Sequence, residues 1–321
     1  MTCLKRPKSC HGLAACALLL LTTGCAGLRP SAAKHSLDSR IEYYEDRVQQ
    51  CPKLYPAHAA LAIAYLNKAR ETHDAVCVQR ARAAAAQSLA IQPSLVGFQA
   101  MAAIANFAHQ FEESIGWSNR AYETAPDDPS VASALVESLI ALDRIEDAKQ
   151  VCARASAAPD NFHTWIAKAR IAVATGEIVA ANHAYVRAAD MAEQQGADEF
   201  AAWALIMASG VLIDTGQPKG ARALLDRAEK LDAGSSMLAL HRAELAEAEG
   251  RTADALRLYT KLADRTGDPA VHARAFAVAR KLGNEKEARR HFDAAVQGYQ
   301  KVLDAGEDYT RDALNQLRSQ A

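Results

Sequence analysis

His109-Gln110-Phe111-Glu112-Glu113-Ser114-Ile115-Gly116-Trp117-Ser118-Asn119-Arg120-Ala121-Tyr122, with Pro126 shortly after, is the stretch that decides the fold. Ser114 is a small residue at the opening of a helix. Small residues recur at the same point along the chain, at Ala81, Ser114, Ala148, Ala181, Ala221, Ala255 and Ala288, with spacings of 33, 34, 33, 40, 34 and 33. A period of this length marks stacked supersecondary units, each too small to bury its apolar face alone.

Alanine is abundant, so independent positions must carry the test. Five residues upstream of the small residue stand Gly176, Gly216, Gly250 and Gly283, with His109 and Asp143 in earlier units. A turn between two helices favours glycine, which takes left-handed conformations without a Cβ clash. Four residues downstream lie Cys152, Tyr185, Leu225, Tyr259 and Phe292, large or apolar side chains on one helical face. Prolines 52, 93, 126, 129, 159 and 269 fall between units, where they cost no helical hydrogen bond. Pro218 falls inside a unit, in the first turn of the helix after Gly216, a tolerated place. Composition agrees: half the residues are apolar, only 6% are aromatic, and the enrichment in β-branched residues that strands need is missing. The chain is all-α.

These residues resemble the tetratricopeptide repeat family, two antiparallel helices in about 34 residues. His109 through Tyr122 and Pro126 follow its second-helix pattern, as does Gly250 through Ala255 and Tyr259. The resemblance implies a right-handed superhelical solenoid of about seven repeats. Ile41-Glu42-Tyr43-Tyr44-Glu45 before Pro52 looks like an N-terminal half repeat. In the closing segment, Ala313, Leu314 and Leu317 share one face, as a capping helix requires. The solenoid is assigned to residues 38–319. Two units exceed the period, one around Glu71 to Asp74 and one between Met191 and Phe200, through loops or longer helices.

The beginning of the chain has the parts of an export signal: basic residues Lys5, Arg6 and Lys8, an apolar run from Gly12 to Leu21, and small residues before a cysteine. That run is too short to span a bilayer, which takes roughly 20 apolar residues. Leu21-Thr22-Thr23-Gly24-Cys25 resembles the lipobox of bacterial lipoproteins, although Thr22 stands where the pattern prefers Leu. Cys16 fits the local pattern better but has too little apolar sequence before it. The resemblance implies a signal peptide over 1–24, an acylated Cys25, and a tether over 25–37. Ala26, where an aspartate would favour the inner membrane, favours outer-membrane anchoring. An ordinary cleaved signal with an incidental cysteine is the alternative.

Without the signal, 34 basic residues face 38 acidic ones. Neither this balance nor any run of like charges offers a footprint for nucleic acid. Cys51, Cys77 and Cys152 form an odd set with no metal-ligand or redox spacing, so no disulfide scaffold, metal or cofactor is expected.

In the resembled family the first helices line a concave groove that grips a protein or peptide. Carried over by register, this implies groove residues Leu66, Gln99, Asn106, Phe107, Glu137, His163, Ile166, Arg170, Trp203, Ile206, Met237, Leu240 and Glu244. Ile63, Asn67, Ile140, Asp214, Glu247, Arg280 and Lys281 extend the set. A one-position slip rotates a side chain by about 100°, so core packing is the competing role for each. The clamp that some relatives use for acidic chaperone termini is absent: its positions hold Ala59, Gln99, Ser133 and Ile166, then Ile63, Ala103, Glu137 and Arg170. No nucleophile elbow, zinc helix or phosphate-cradling loop occurs. The expectation is an envelope scaffold that binds a protein partner and is not an enzyme. The alternatives are self-association and a composite site such as His163 with Glu137.

Overall fold

Six turns of one kind join the paired helices. In the computed structural model, which describes residues 36–72, 74–156 and 160–320, His109, Asp143, Gly176, Gly216, Gly250 and Gly283 all have φ between 57° and 75°. Each is followed by an N–H that reaches back over the helix end: Gln110 to the Ala105 carbonyl at 2.8 Å, Arg144 to Leu139 at 2.9 Å, Glu177 to Ala172 at 2.7 Å. Orphan carbonyls at the end of the first helix are thereby satisfied, and the chain reverses. His109 and Asp143 hold this conformation at a cost of about 1 kcal/mol that glycine avoids. Asp143→Gly is therefore expected to stabilise the protein by about 1 kcal/mol, read as a higher denaturant midpoint; an unchanged or lower midpoint would refute the strain.

Sixteen α-helices follow one another among the described residues, with no strand. A lone α1 (Leu37–Gln50) precedes seven pairs. These are α2 (Tyr55–Thr72) with α3 (Ala75–Ile91), α4 (Leu95–Phe107) with α5 (Phe111–Thr124), and α6 (Pro129–Ala141) with α7 (Ile145–Ala155). Next come α8 (Phe162–Ala174) with α9 (Ile178–Gln194), and α10 (Asp198–Asp214) with α11 (Pro218–Leu231). The last pairs are α12 (Ser236–Ala248) with α13 (Thr252–Thr266), and α14 (Pro269–Lys281) with α15 (Glu285–Asp304). A 3-10 turn (Asp308–Thr310) leads into α16 (Arg311–Ser319). This is an all-α, tetratricopeptide-like solenoid. The signal, Cys25 and nearly all of the tether lie outside the described residues, as does Pro159. No helix among those described is long and apolar enough to cross a membrane.

Small residues sit where helices touch. Ala81, Ala148, Ala181, Ala221 and Ala255 are fully buried, Ser114 and Ala288 nearly so. The Ser114 hydroxyl stays satisfied by donating to the Ala102 carbonyl at 2.9 Å, with Ser138 at 2.8 Å. One turn later Cys152, Tyr185, Leu225 and Tyr259 fill the same face from inside the core. Asp74, Asp128, Asn161, Ser235 and Asp268 cap first or second helices through their side chains, and Pro129, Pro218 and Pro269 occupy first turns. The three described cysteines are free thiols. Leu314 and Leu317 of α16 cover the last pair, so the end of the array is not left apolar.

The two departures from the period are resolved as longer helices. Most first helices have 13 residues, whereas α2 has 18 and α10 has 17; α3, the partner of α2, and α9, which precedes α10, have 17 each. The added turns lie where the superhelix meets itself. Glu71, in the extra turn of α2, accepts a hydrogen bond from the Ser236 hydroxyl at 2.6 Å, and Arg265 also holds Ser236 at 2.9 Å. Asp74 faces Lys301 at 3.9 Å, and Gln79 donates to the Ala305 carbonyl at 2.9 Å. Glu199, in the extra turn of α10, faces Arg40 at 3.8 Å. Tyr309 in the 3-10 turn lies against Phe107, with ring centroids 5.5 Å apart, and against His109 at 6.0 Å. Most of these contacts step five units along the array: α1 to the fifth pair, the first pair to the sixth, the second pair to the turn after the seventh. One superhelical turn thus takes about five repeats, and its two ends touch.

Candidate functional site

First helices pack on one another from unit to unit, as α2 on α4, α4 on α6, α6 on α8 and α10 on α12. Side chains on their free face therefore look into the superhelical channel. Glu137 of α6 and Arg170 of α8 pair across that face at 2.9 Å, and Arg170 also donates to the Ser133 carbonyl at 3.3 Å. The Arg170 guanidinium lies 5.7 Å from the centroid of the Trp203 ring of α10. Trp203 meets Phe200 at 5.4 Å and Tyr185 at 6.3 Å, and remains half-buried. Three consecutive units thus present an acid, a base and an indole in a row, all partly open to solvent.

Arg70 belongs to the same region, although nothing in the repeat register pointed to it. It occupies the extra turn of α2, bonded to Asn67 at 3.3 Å, and feels both Glu137 and Arg170. It retains accessible surface, yet the protein around the channel displaces enough water to lower its pKa, with Arg170 adding repulsion and Glu137 opposing both. No carboxylate forms an ion pair with it among the described residues. Its signal was in the sequence: Arg70 follows Asn67 by three, so both share a helical face once α2 is long enough.

Farther along, the channel is acidic but neutralised. Glu244 lies 3.8 Å from Arg274, and Glu247 pairs with Lys281 and accepts from the Tyr259 hydroxyl. Burial raises the Glu244 carboxyl, against the pull of Arg274. His241 packs under Gly210, where an added Cβ would stand 2.9 Å from its ring. Burial lowers its pKa to about 4, Asp214 opposing.

The structure divides the residues expected from the register. Gln99, Glu137, Arg170, Trp203, Leu240 and Glu244 are half-exposed on first helices, and Met237 is exposed. Gln99 donates to the Ser130 hydroxyl at 3.0 Å, joining the second and third units. Leu66, Ile166 and Ile206 are corrections: all three are at most 2% exposed and form inter-helix core, so no partner reaches them. Phe107 is a further correction, since Tyr309 of the same chain already covers it; Asn106 stands beside it, half-buried. His163 is packed against Phe162 and Phe200, its Nε2 buried without a hydrogen-bond partner. Burial lowers its pKa to about 4, partly offset by Asp128. Its proposed catalytic partner, Glu137, is held by Arg170, so that dyad is not formed. No cluster of three metal-ligating side chains occurs among the described residues.

No protein-family profile matches the chain, and no curated protein matches it significantly. Solved structures do. The chain is similar to yeast Tom70 with a TM-score of 0.55 at 13% identity, covering 90% of this chain and 61% of Tom70. It is similar to a tetratricopeptide repeat protein of Parabacteroides merdae with a TM-score of 0.50 at 12% identity, covering 79% of this chain and 92% of that one. In the APC/C hetero-tetramer Cut9–Hcn1 the match has a TM-score of 0.59 at 17% identity, over 88% of this chain and 54% of the other. The chain therefore spans well under two thirds of one of these proteins and somewhat under two thirds of another. At such identities the likeness is one of fold.

Proposed function

We propose that this protein is a lipid-anchored scaffold of the bacterial envelope, which holds a protein or peptide partner in its superhelical channel. The observation that carries the binding role is the row Glu137–Arg170–Trp203, three chemically different groups left half-exposed on successive first helices. Trp and Arg are the residue types that most often dominate binding energy, and an extended segment or amphipathic helix would meet all three at once. The channel surface is mixed in charge and partly self-neutralised, which suits a polypeptide better than a polyanion. Anchoring at Cys25 and an outer-membrane address facing the periplasm rest on the lipobox resemblance and on Ala26.

Two measurements test these parts separately. Cells fed labelled palmitate are expected to label the wild-type chain and to leave Cys25→Ala unlabelled; equal labelling would remove the anchor. A photoreactive side chain at position 203 or 237 is expected to capture one defined envelope protein, whereas the same group at Lys149 on the outer face is not. Capture by Lys149 alone would place the binding surface elsewhere.

A further inference from the structure

We infer that the buried pair His272–His291 is a proton-sensitive latch, which holds the last repeat against the array and so keeps the superhelix closed around its channel. The latch would govern a partner's access to that channel, so its purpose rests on the scaffold reading above; its geometry does not.

His291 is fully buried and His272 nearly so. Their Nδ1 atoms lie 2.8 Å apart, a hydrogen bond with room for one proton. Nε2 of His291 lies 3.0 Å from the Thr260 hydroxyl. Thr260 on α13, His272 on α14 and His291 on α15 therefore form one polar node across the last two repeats. A neutral pair satisfies the node, because one ring donates through Nδ1 and the other accepts. A doubly charged pair cannot, because two N–H groups would then face each other. Parted and wetted, each ring takes up its proton near the ordinary value of 6.5. Protons thus favour the parted state, and closure weakens as pH falls through 6.5. Charged groups from every packed element bear on the pair. Asp264 on α13, Asp268 at the cap of α14 and Glu287 on α15 favour charged rings, Arg290 on α15 opposes them, and burial is the largest influence. Arg290 is itself paired with Asp264 and Glu287, which offsets much of their pull.

Nothing in the repeat requires a histidine here. The same position, three residues after the small residue of the second helix, holds Ala84, Trp117, Val151, Ala184, Leu224 and Leu258 in the other units, all apolar. The node is joined to the seam between superhelical turns by one rod: α15 has 20 residues, about 30 Å, with His291 in its second turn. Its far end brings Lys301 to Asp74 and the Ala305 carbonyl to Gln79, and the 3-10 turn after it brings Tyr309 to Phe107 and His109. Phe276 and Phe292, with ring centroids 5.3 Å apart, keep α14 and α15 together, so release is a tilt of the last repeat and not its unfolding.

The test is a distance across the seam. Ketone-bearing residues replacing Glu112 and Asp312, both exposed and one on each side of the seam, carry nitroxides in the full chain in detergent, and pulsed electron resonance reads their separation. At pH 7.5 one short distance is expected. At pH 5.5 a longer one is expected to join it at unchanged helix content, the ratio rising up to about a hundredfold per pH unit because two protons are taken up. His291→Gln, which can still bond Thr260 but cannot charge, is expected to stay closed at pH 5.5, and His109→Gln at the seam itself to respond like wild type. A single short distance at both pH values would overturn the latch. So would opening of His291→Gln at the wild-type pH, loss of the response in His109→Gln, or loss of helix in step with the distance. Should His291→Gln be open already at pH 7.5, the His272→Leu/His291→Leu pair takes its place, with closure at both pH values expected and opening at the lower one overturning the latch. None of these readings depends on a partner, so failure of the capture at position 203 would remove the scaffold reading and leave the latch to stand or fall alone.

Discussion

Acidification from pH 7 to pH 4 is expected to strip several kcal/mol of stability from the middle and C-terminal units, with His163 and His241 contributing about 3 kcal/mol each. Both imidazoles are driven to about 4 by burial, whereas an unfolded chain titrates near 6.5. As pH falls through 6.5 the unfolded state takes up protons that the folded state refuses. Stability is therefore complete above 6.5, declines between 6.5 and 4, and loses nothing further from these two groups below that. His272 and His291 add in the same direction. Their Nδ1 atoms share one proton at 2.8 Å, Thr260 holds the far nitrogen of His291 at 3.0 Å, and burial lowers both. Asp264, Asp268 and Glu287 oppose the shifts, whereas Arg290 reinforces them. Glu244 works against the trend, because its raised pKa favours the folded state in acid. Four histidines against one carboxyl leave the net sign unchanged. Melting followed by far-ultraviolet circular dichroism at pH 7.5, 6 and 5 should show a steep fall in wild type and a shallower one in His163→Leu. A melting temperature flat across that range would refute the burial of these rings.

Tyr309→Ala is expected to open the superhelix. The ring closes the second unit against the C-terminal turn, and its loss removes about 2 kcal/mol of aromatic packing, less than a fully buried ring because Tyr309 keeps some exposure. The remaining inter-turn contacts, the Glu71–Ser236 and Gln79–Ala305 hydrogen bonds and the Asp74–Lys301 and Arg40–Glu199 ion pairs, are single polar contacts worth about 1 kcal/mol or less each. Small-angle scattering should therefore show a larger radius of gyration for the variant at unchanged helix content. The Tyr309 hydroxyl is buried without a hydrogen-bond partner, so Tyr309→Phe should close the array at least as firmly as wild type. Equal radii for wild type and Tyr309→Ala would show that the five-unit pitch is set within the repeats and not by their closure.

Opening would also uncover Phe107, which the repeat register assigns to the groove. That assignment was sound as geometry: Phe107 does end a first helix and does face inward. What the register lacked was the occupant. Tyr309 lies 202 residues later and belongs to a segment whose local pattern speaks only of a capping helix. Leu66, Ile166 and Ile206 failed for a different reason. Apolar residues on a first helix serve either the channel or the neighbouring helix, and about 100° of rotation separates the two. Their polar and aromatic register-mates, Gln99, Glu137, Arg170 and Trp203, cannot be buried without partners, so the register placed them on the solvated side.

By itself the sequence determined everything that repeats. Turn position, small-residue crossings, proline placement and the capping face are local, each enforced within about 34 residues by steric and hydrogen-bonding rules that act identically in every unit. Only the tertiary structure decided what occurs once. It turned the extra residues after Asn67 and Met191 into longer helices, set the pitch at about five units, and carried Glu71 and Tyr309 into contact with distant repeats. Small rotations accumulate from unit to unit along a solenoid, so which residues meet after a full turn depends on every intervening crossing. No stretch of sequence encodes that sum.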